Sequence, residues 1–98
     1  MIEVRQTAEF SGWLRRLRDD KAKARIAARV ERIKLGNLGD YKGLGHGLLE
    51  IRVDYGPGYR VYFVRQGAAV VLLLCGGDKR TQQRDVTRAY ELAEELRR

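Results

Sequence analysis

The chain has 98 residues, with 20 Lys and Arg against 13 Asp and Glu, and a formal net charge of +7. This length predicts one domain spanning residues 1–98 and excludes an enzyme with a separate cofactor-binding domain, since single domains commonly contain about 100–150 residues. Hydrophobic residues make up 44% of the chain, which is enough for a folded core and argues against intrinsic disorder. The basic charge favours a polyanion or an acidic protein as the partner.

The counts of cysteine and histidine and the length of the apolar stretches further limit the class of protein. The single Cys75 excludes an intramolecular disulfide, and one histidine excludes a His-containing zinc cluster. We therefore expect neither a metal nor another cofactor. Glu3 and Arg5 make the N-terminus unlike a secretory signal. The longest apolar stretch, residues 68–75, is shorter than the ~18–20 residues that a membrane span needs. These features predict a cytoplasmic protein that does not enter a membrane.

The first half of the chain predicts a short strand over residues 2–7 and two helices. The first helix has an apolar stripe at positions i, i+3, i+4 and i+7, which consists of Phe10, Trp13, Leu14 and Leu17. The second helix, over residues 20–35, has an apolar stripe of Ala22, Ile26, Val30 and Ile33. Because both helices are amphipathic and the link between them is short, we expect a helical hairpin packed on a sheet.

The second half predicts a loop, three strands and a last helix. Residues 36–47 contain five glycines and no regular period, which indicates a structured loop. Apolar and polar residues alternate over 49–55 and again over 59–64, on either side of the turn at residues 56–58. Residues 68–75 are nearly all apolar, as is typical of a strand buried on both faces. The last helix has the inward stripe Val86, Ala89, Ala93 and Leu96.

This order of elements, β-α-α-β-β-β-α, predicts an α+β fold. We expect an antiparallel sheet with the N-terminal helical hairpin packed on one face and a C-terminal helix. Cys75 and Trp13 both fall on apolar stretches, so both are expected in the core.

The hairpin around residues 56–58 predicts one apolar and one polar face. If these three residues form the loop, Tyr55 pairs with Tyr59, and Arg52 pairs with Tyr62. Arg52, Arg60 and Tyr62 then share the polar face. Two interpretations are open for this face. It is either a solvated sheet surface with cross-strand ion pairs, or a polyanion site in which arginines bind phosphate and an aromatic ring stacks on a base.

Two further positions are candidates for chemistry. His46 is the only side chain that ordinarily titrates near neutral pH, so it is a candidate general acid or base as well as a plain surface residue. Lys79 and Arg80 follow the buried strand and would add positive charge at the same end of the sheet. The spacing of a phosphate-binding P-loop is absent from this segment.

Several segments together make the sequence recognisable. They are Trp13-Leu14, residues 36–42 (GNLGDYK), residues 49–52 (LEIR), residues 56–63 (GPGYRVYF) and residues 72–82 (LLLCGGDKRTQ). With these segments the chain resembles the RelE/ParE superfamily of toxins from type II toxin–antitoxin systems. Within it, the chain is similar to the addiction module killer proteins related to HigB.

The resemblance implies an endoribonuclease, an mRNA interferase that cuts mRNA, typically on the translating ribosome. It implies attack of a ribose 2′-hydroxyl on the adjacent phosphate, inhibition by a cognate helix-turn-helix antitoxin, and no cofactor. The family's catalytic positions fall on Arg60, Arg52 and Arg80. We expect RNA contacts from Lys79, Tyr62, Lys42 and His46.

The chain departs from RelE at two places. Glu50 stands where RelE has a further lysine, and no tyrosine stands at Val86 or Thr87, where RelE has its C-terminal catalytic tyrosine. Two other functions are therefore kept open. One is a ParE-like toxin that inhibits DNA gyrase without cutting RNA, and the other is an RNA-binding module without catalysis.

Overall fold

A computed structural model describes residues 1–97 and confirms an α+β fold. The elements, in chain order, are β1 (Glu3–Gln6), α1 (Ala8–Arg16), α2 (Asp20–Lys34), β2 (Tyr41–Gly45), β3 (Leu48–Val53), β4 (Tyr59–Arg65), β5 (Val70–Asp78), a 3-10 turn (Lys79–Thr81) and α3 (Gln82–Leu96). None of the helices in this part of the chain is both long and apolar enough to cross a membrane.

The five strands form one sheet in the order β1-β5-β4-β3-β2. The four later strands pair antiparallel as expected, whereas β1 pairs parallel with β5. Strand β2 lies inside the segment that we expected to be a loop. Its residues include Gly43 and Gly45 and lack an apolar alternation, so its extended form comes from pairing with β3 rather than from strand propensity.

The helical hairpin packs on one face of the sheet, as the apolar stripes predict. Thr7 caps α1 by accepting a hydrogen bond from the Phe10 amide at 3.0 Å, and Asp19 caps α2. All four stripe residues of α2 are buried, and Phe10 of α1 is buried with them. Trp13 is half-buried and lies against Gly76, where a side chain on the strand would collide with its ring.

Helix α3 packs on the opposite face, so the sheet lies between two helical layers. Residues 71–77 of β5 are buried, which confirms a central strand covered on both faces. Ala89 and Ala93 point inward as expected. Leu92 is also buried, whereas Leu96, in the last turn of α3, is exposed, contrary to the predicted stripe.

The β3–β4 hairpin has a different register from the predicted one. Val53 pairs with Tyr59 and Arg52 pairs with Arg60, so the connection consists of residues 54–58. Gly56 and Gly58 adopt left-handed backbone conformations, with φ of 57° and 79°, which makes room for this wider turn. The pairing is shifted by two residues, and a shift of two leaves every side chain on its predicted face.

Candidate nucleic-acid interface

The polar face of the β3–β4 hairpin is mostly buried rather than solvated. Glu50 is 1% exposed, Arg60 has a side chain 7% exposed, and Tyr62 is fully buried. The cause is helix α3, whose first turn covers this face; the Gln82 amide donates a hydrogen bond to Glu50 Oε2 at 3.2 Å. Only Arg52, with a side chain 54% exposed, remains available at the surface. Tyr62 is therefore unavailable to stack on a base, contrary to the sequence expectation.

Glu50 is the centre of this polar cluster. Its Oε1 lies 3.5 Å from Arg52 Nε, and its Oε2 lies 3.8 Å from Arg60 Nε. Arg52 and Arg60 are direct partners across the two strands, so a carboxylate beside both of them offsets the repulsion between their charges. Glu50 is therefore the ion-pair partner of two of the three arginines assigned to catalysis by the resemblance.

Three buried polar atoms in this cluster have no hydrogen-bond partner within residues 1–97: Glu50 Oε1, Arg60 Nε and the Tyr62 hydroxyl. Burial, with a contribution from the Glu50 carboxylate, raises the pKa of Tyr62 above its ordinary value. Tyr62 thus stays a neutral phenol at physiological pH and does not act as a base.

Lys79 and Arg80 lie at the same end of the sheet as Arg52 and Arg60. The pairing of Arg60 with Gly77 places the end of β5 beside the start of β4. Arg60 donates a hydrogen bond to the Gly58 carbonyl at 3.1 Å, and Gly58 also borders Lys79. Four basic residues from three strand ends thus converge here, as the sequence predicts.

Asp78 orients Arg80. The carboxylate accepts a hydrogen bond from the Arg80 backbone amide at 2.8 Å and pairs with its guanidinium at 3.2 Å. Partial burial alone would raise the pKa of Asp78, but these hydrogen bonds outweigh it and the pKa is lowered. The side chain of Arg80 still extends into solvent, where it can reach a phosphate.

Lys42 lies beside the cluster and His46 does not. Lys42 pairs with Glu50 across β2 and β3 and is exposed. His46 is in the turn before β3, with a φ of 53°. Its ring lies 6.3 Å from that of Tyr90 on α3. The strand from Leu48 to Arg52 spans about 13 Å, so His46 is at the far end of the sheet from the arginines. The structure therefore does not bring His46 to the site.

Sequence reasoning missed three residues that shape this cluster: Glu50 as its anchor, Gln82, and the buried Asp85. The Thr81 hydroxyl donates a hydrogen bond to Asp85, and a side chain at Gly77 would overlap the Asp85 carboxylate. The glycine pair at 76 and 77 was the available signal, because glycine within a strand often marks a close approach by another element. Here, Trp13 approaches Gly76 and Asp85 approaches Gly77.

The cysteine beside this cluster is not an activated nucleophile. Burial raises the pKa of the Cys75 thiol to about 12, so Cys75 is a protonated core residue at neutral pH, in agreement with its predicted burial. The chemistry available at this surface is the binding and electrostatic stabilisation of an anion by Arg52, Lys79 and Arg80.

Comparisons with known proteins find a similar protein and a matching family, each over most of the chain. An uncharacterized protein of Haemophilus influenzae is 47% identical over 95 residues, which covers 97% of this chain and 96% of that relative. The model of the phage-derived Gp49-like proteins matches residues 12–98, which include every residue of the basic cluster. The chain therefore belongs to the Gp49-like (DUF891) family of phage-derived proteins.

Proposed function

We propose that this protein is the toxin of a type II toxin–antitoxin module of the RelE/HigB kind, and that it cleaves mRNA. The observation that carries the proposal is the convergence of Arg52, Arg60, Lys79 and Arg80 at one end of the sheet. Membership of a phage-derived family and the RelE-like segments support it. Guanidinium groups bind phosphate bidentately, which suits this set to the RNA backbone.

The proposed reaction is an attack of a ribose 2′-hydroxyl on the adjacent phosphorus. The bond from phosphorus to the 5′-oxygen breaks, which leaves a 2′,3′-cyclic phosphate and a 5′-hydroxyl. The proton lost by the 2′-hydroxyl balances the proton taken up by the 5′-oxygen. Charge builds on the phosphoryl oxygens as the new bond forms, and the exposed guanidinium groups of Arg52 and Arg80 stabilise it. Lys79 binds the same or a neighbouring phosphate.

Arg60 has a different role from the other two arginines in this scheme. Its guanidinium lies beneath the surface, hydrogen-bonded to Gly58 and paired with Glu50. We assign it as a positioning residue that holds Glu50, and through Glu50 the Arg52 side chain, in place. The 2′-hydroxyl and the phosphorus must be aligned for in-line attack, and the ribosome supplies that alignment by holding the mRNA.

The test is cleavage of mRNA on programmed ribosomes, read by primer extension. Arg52→Ala and Arg80→Ala should each lower the rate by about 100-fold, and lysine at either position should restore only part of it, because lysine lacks the bidentate fork. Arg5→Ala is the control, since the Arg5 side chain is 59% exposed, close to the 54% of Arg52, but lies on β1 at the sheet edge. Intact mRNA accompanied by DNA double-strand breaks would assign the gyrase alternative and overturn the nuclease.

The proposal includes a protein partner. We expect a helix-turn-helix antitoxin whose acidic segment covers Arg52, Arg80 or the basic helical hairpin. Co-expression with the protein encoded by the adjacent reading frame should give a stable complex and restore growth. High-level expression of this chain alone without any effect on growth would contradict the toxin assignment.

A further inference from the structure

A second basic surface lies beside the cluster, in a cleft between α2 and the end of β3. The cleft has a volume of about 510 Å³, and its charged lining consists of Arg25, Arg29, Arg32, Arg52, Asp40 and Asp54. Four basic and two acidic residues thus line it. Arg52 lines this cleft, where its carbonyl accepts a hydrogen bond from Arg29, and its side chain belongs to the candidate interface, so the two surfaces meet at this residue.

Arg29 lines the cleft, and its side chain is hydrogen-bonded to the backbone. Its guanidinium donates to the Arg52 carbonyl at 2.6 Å, and to the Leu38 and Asp40 carbonyls at 3.4 and 3.3 Å. These bonds attach α2 to the end of β3 and to the segment before β2. Arg29 therefore holds the two walls together, and its charge is shared with backbone carbonyls.

Arg25 and Arg32 are the groups available to a ligand. Both are exposed, and neither forms an ion pair within residues 1–97. The Arg25 guanidinium lies over the Tyr55 ring, 4.7 Å from its centre, a cation–π contact that does not neutralise its charge. Seven residues separate the two arginines, so they lie on one side of α2, about 10 Å apart along its axis.

In the larger cleft between α1 and α3, most of the arginines are paired with carboxylates. It has a volume of about 920 Å³ and includes Arg80, Arg84 and Arg88. Each of these is paired with a carboxylate, at 3.2 Å to Asp78, 3.8 Å to Asp85 and 2.8 Å to Glu9 respectively. A fourth arginine of this cleft, Arg16, forms no ion pair within residues 1–97, so three of its four arginines are compensated, whereas Arg25 and Arg32 in the smaller cleft are both unpaired.

We propose that the α2 cleft binds the phosphate backbone of single-stranded RNA next to the phosphate that is cleaved. Two arginines without ion pairs, about 10 Å apart, suit a chain of phosphates better than one small anion. Arg52 marks the point where the RNA passes from this cleft to the cluster of Arg52, Lys79 and Arg80. The inference rests on the proposed function, because it assigns a further subsite to the same RNA.

The experiment measures binding of two single-stranded RNAs, of about 5 and about 15 nucleotides, within the range of sites known for single-strand binders. Their riboses are 2′-O-methylated, so that no attacking hydroxyl is present. The double variant Arg25→Ala/Arg32→Ala should bind the longer RNA about 10-fold more weakly and the shorter one unchanged. Its salt slope for the longer RNA should fall by about 1.4, since each neutralised phosphate contributes about 0.7.

Two further variants test whether the effect depends on the position and on the charge of the removed side chains. Arg15→Ala/Arg18→Ala removes the same charge from exposed positions of the helical hairpin outside the cleft and should leave both affinities unchanged. Arg25→Lys/Arg32→Lys keeps the charge and should restore most of the salt slope.

Three outcomes would overturn the inference. They are an unchanged affinity for the longer RNA in Arg25→Ala/Arg32→Ala, an equal loss in Arg15→Ala/Arg18→Ala, and a parental protein that binds neither RNA. In the first of these outcomes, if Arg25→Ala/Arg32→Ala also no longer binds the protein encoded by the neighbouring reading frame, the cleft is a protein-binding surface. The nuclease itself is judged separately, since it fails only if the parental protein leaves mRNA on programmed ribosomes intact.

Discussion

Glu50 and Arg60 form a buried ion pair that determines how the basic cluster responds to substitution. The polar face of the hairpin, taken alone, predicts that Arg60→Ala costs below roughly 1 kcal/mol, as is usual for a solvated arginine. The structure contradicts that expectation, because the Arg60 side chain is buried against a carboxylate that is itself buried.

We therefore expect Arg60→Ala to lower the free energy of unfolding by about 3 kcal/mol, because it leaves the buried Glu50 carboxylate with less compensation. Urea denaturation of the purified protein measures this. The double variant Glu50→Gln/Arg60→Ala should lose less free energy of unfolding than the two single variants lose in sum, because it removes both members of the pair. A stable Arg60→Ala protein with an unchanged midpoint would show that Glu50 needs no partner there.

Asp78 gives a prediction about acid stability. Its pKa is lowered in the folded protein, so its ionised form stabilises the fold above the unfolded pKa of about 3.9, and this stabilisation is lost as the pH falls through the lower, folded pKa. Asp78→Asn should be less stable than the parent at pH 7 and should lose less stability on acidification.

Thermal melting between about pH 7 and pH 2, a range that brackets the titration of aspartate, measures the effect. Asp54→Asn is the control, because Asp54 is exposed and has no ion pair within the described residues. Parallel melting curves for the parent and Asp78→Asn over the whole range would contradict the role given to Asp78.

At the scale of single residues, the sequence predicts which face a side chain occupies but not what covers that face. Alternation along β3 and β4 places Glu50, Arg52, Arg60 and Tyr62 together, and the structure agrees. Their burial depends on the first turn of α3, about 20 residues farther along the chain than Tyr62. Periodicity within a strand contains no information about so distant a contact.

At the scale of elements, the strongest apolar patterns predict best. The stripe of α2 and the apolar run of β5 are both correct, because each buries enough apolar surface to determine its own packing. Strand β2 could not be predicted, since its glycines and exposed side chains are extended only through the hydrogen bonds of β3. The predicted register of the β3–β4 hairpin is wrong by two residues because the left-handed glycines of its turn allow several loop lengths.

The Tyr90 hydroxyl connects α3 to β2. Removing it tests whether β2 stays in place without this contact. The hydroxyl lies 2.7 Å from the Leu44 carbonyl and 3.0 Å from the Gly45 carbonyl. Tyr90→Phe should lower the free energy of unfolding by about 1 kcal/mol and speed amide hydrogen exchange in β2 more than in α2. Tyr41→Phe is the control, because Tyr41 is exposed and its hydroxyl makes no hydrogen bond within residues 1–97. Equal exchange in both variants would mean that β2 is held by its strand pairing alone.

At the scale of the whole molecule, the basic cluster is a product of strand order. Strands β5, β4 and β3 are neighbours in the sheet, so residues 52, 60 and 79 meet although they are far apart in the chain. The net charge of +7 is spread much more widely, over both helices of the hairpin as well as the sheet end. Composition therefore indicates a polyanionic partner, and only the topology indicates where it binds.

Salt dependence separates a localised site from the general effect of net charge. Arg52→Ala and Arg15→Ala each remove one positive charge from an exposed position, but Arg52 belongs to both the cluster and the α2 cleft, whereas Arg15 lines neither. If RNA binds where we propose, Arg52→Ala should reduce the slope of log affinity against log salt by about 0.7, and Arg15→Ala should leave it almost unchanged. Fluorescence anisotropy with one RNA at several salt concentrations measures both slopes. Equal reductions would mean that binding follows the total charge of the molecule, and the strand ends would then have no special part in it.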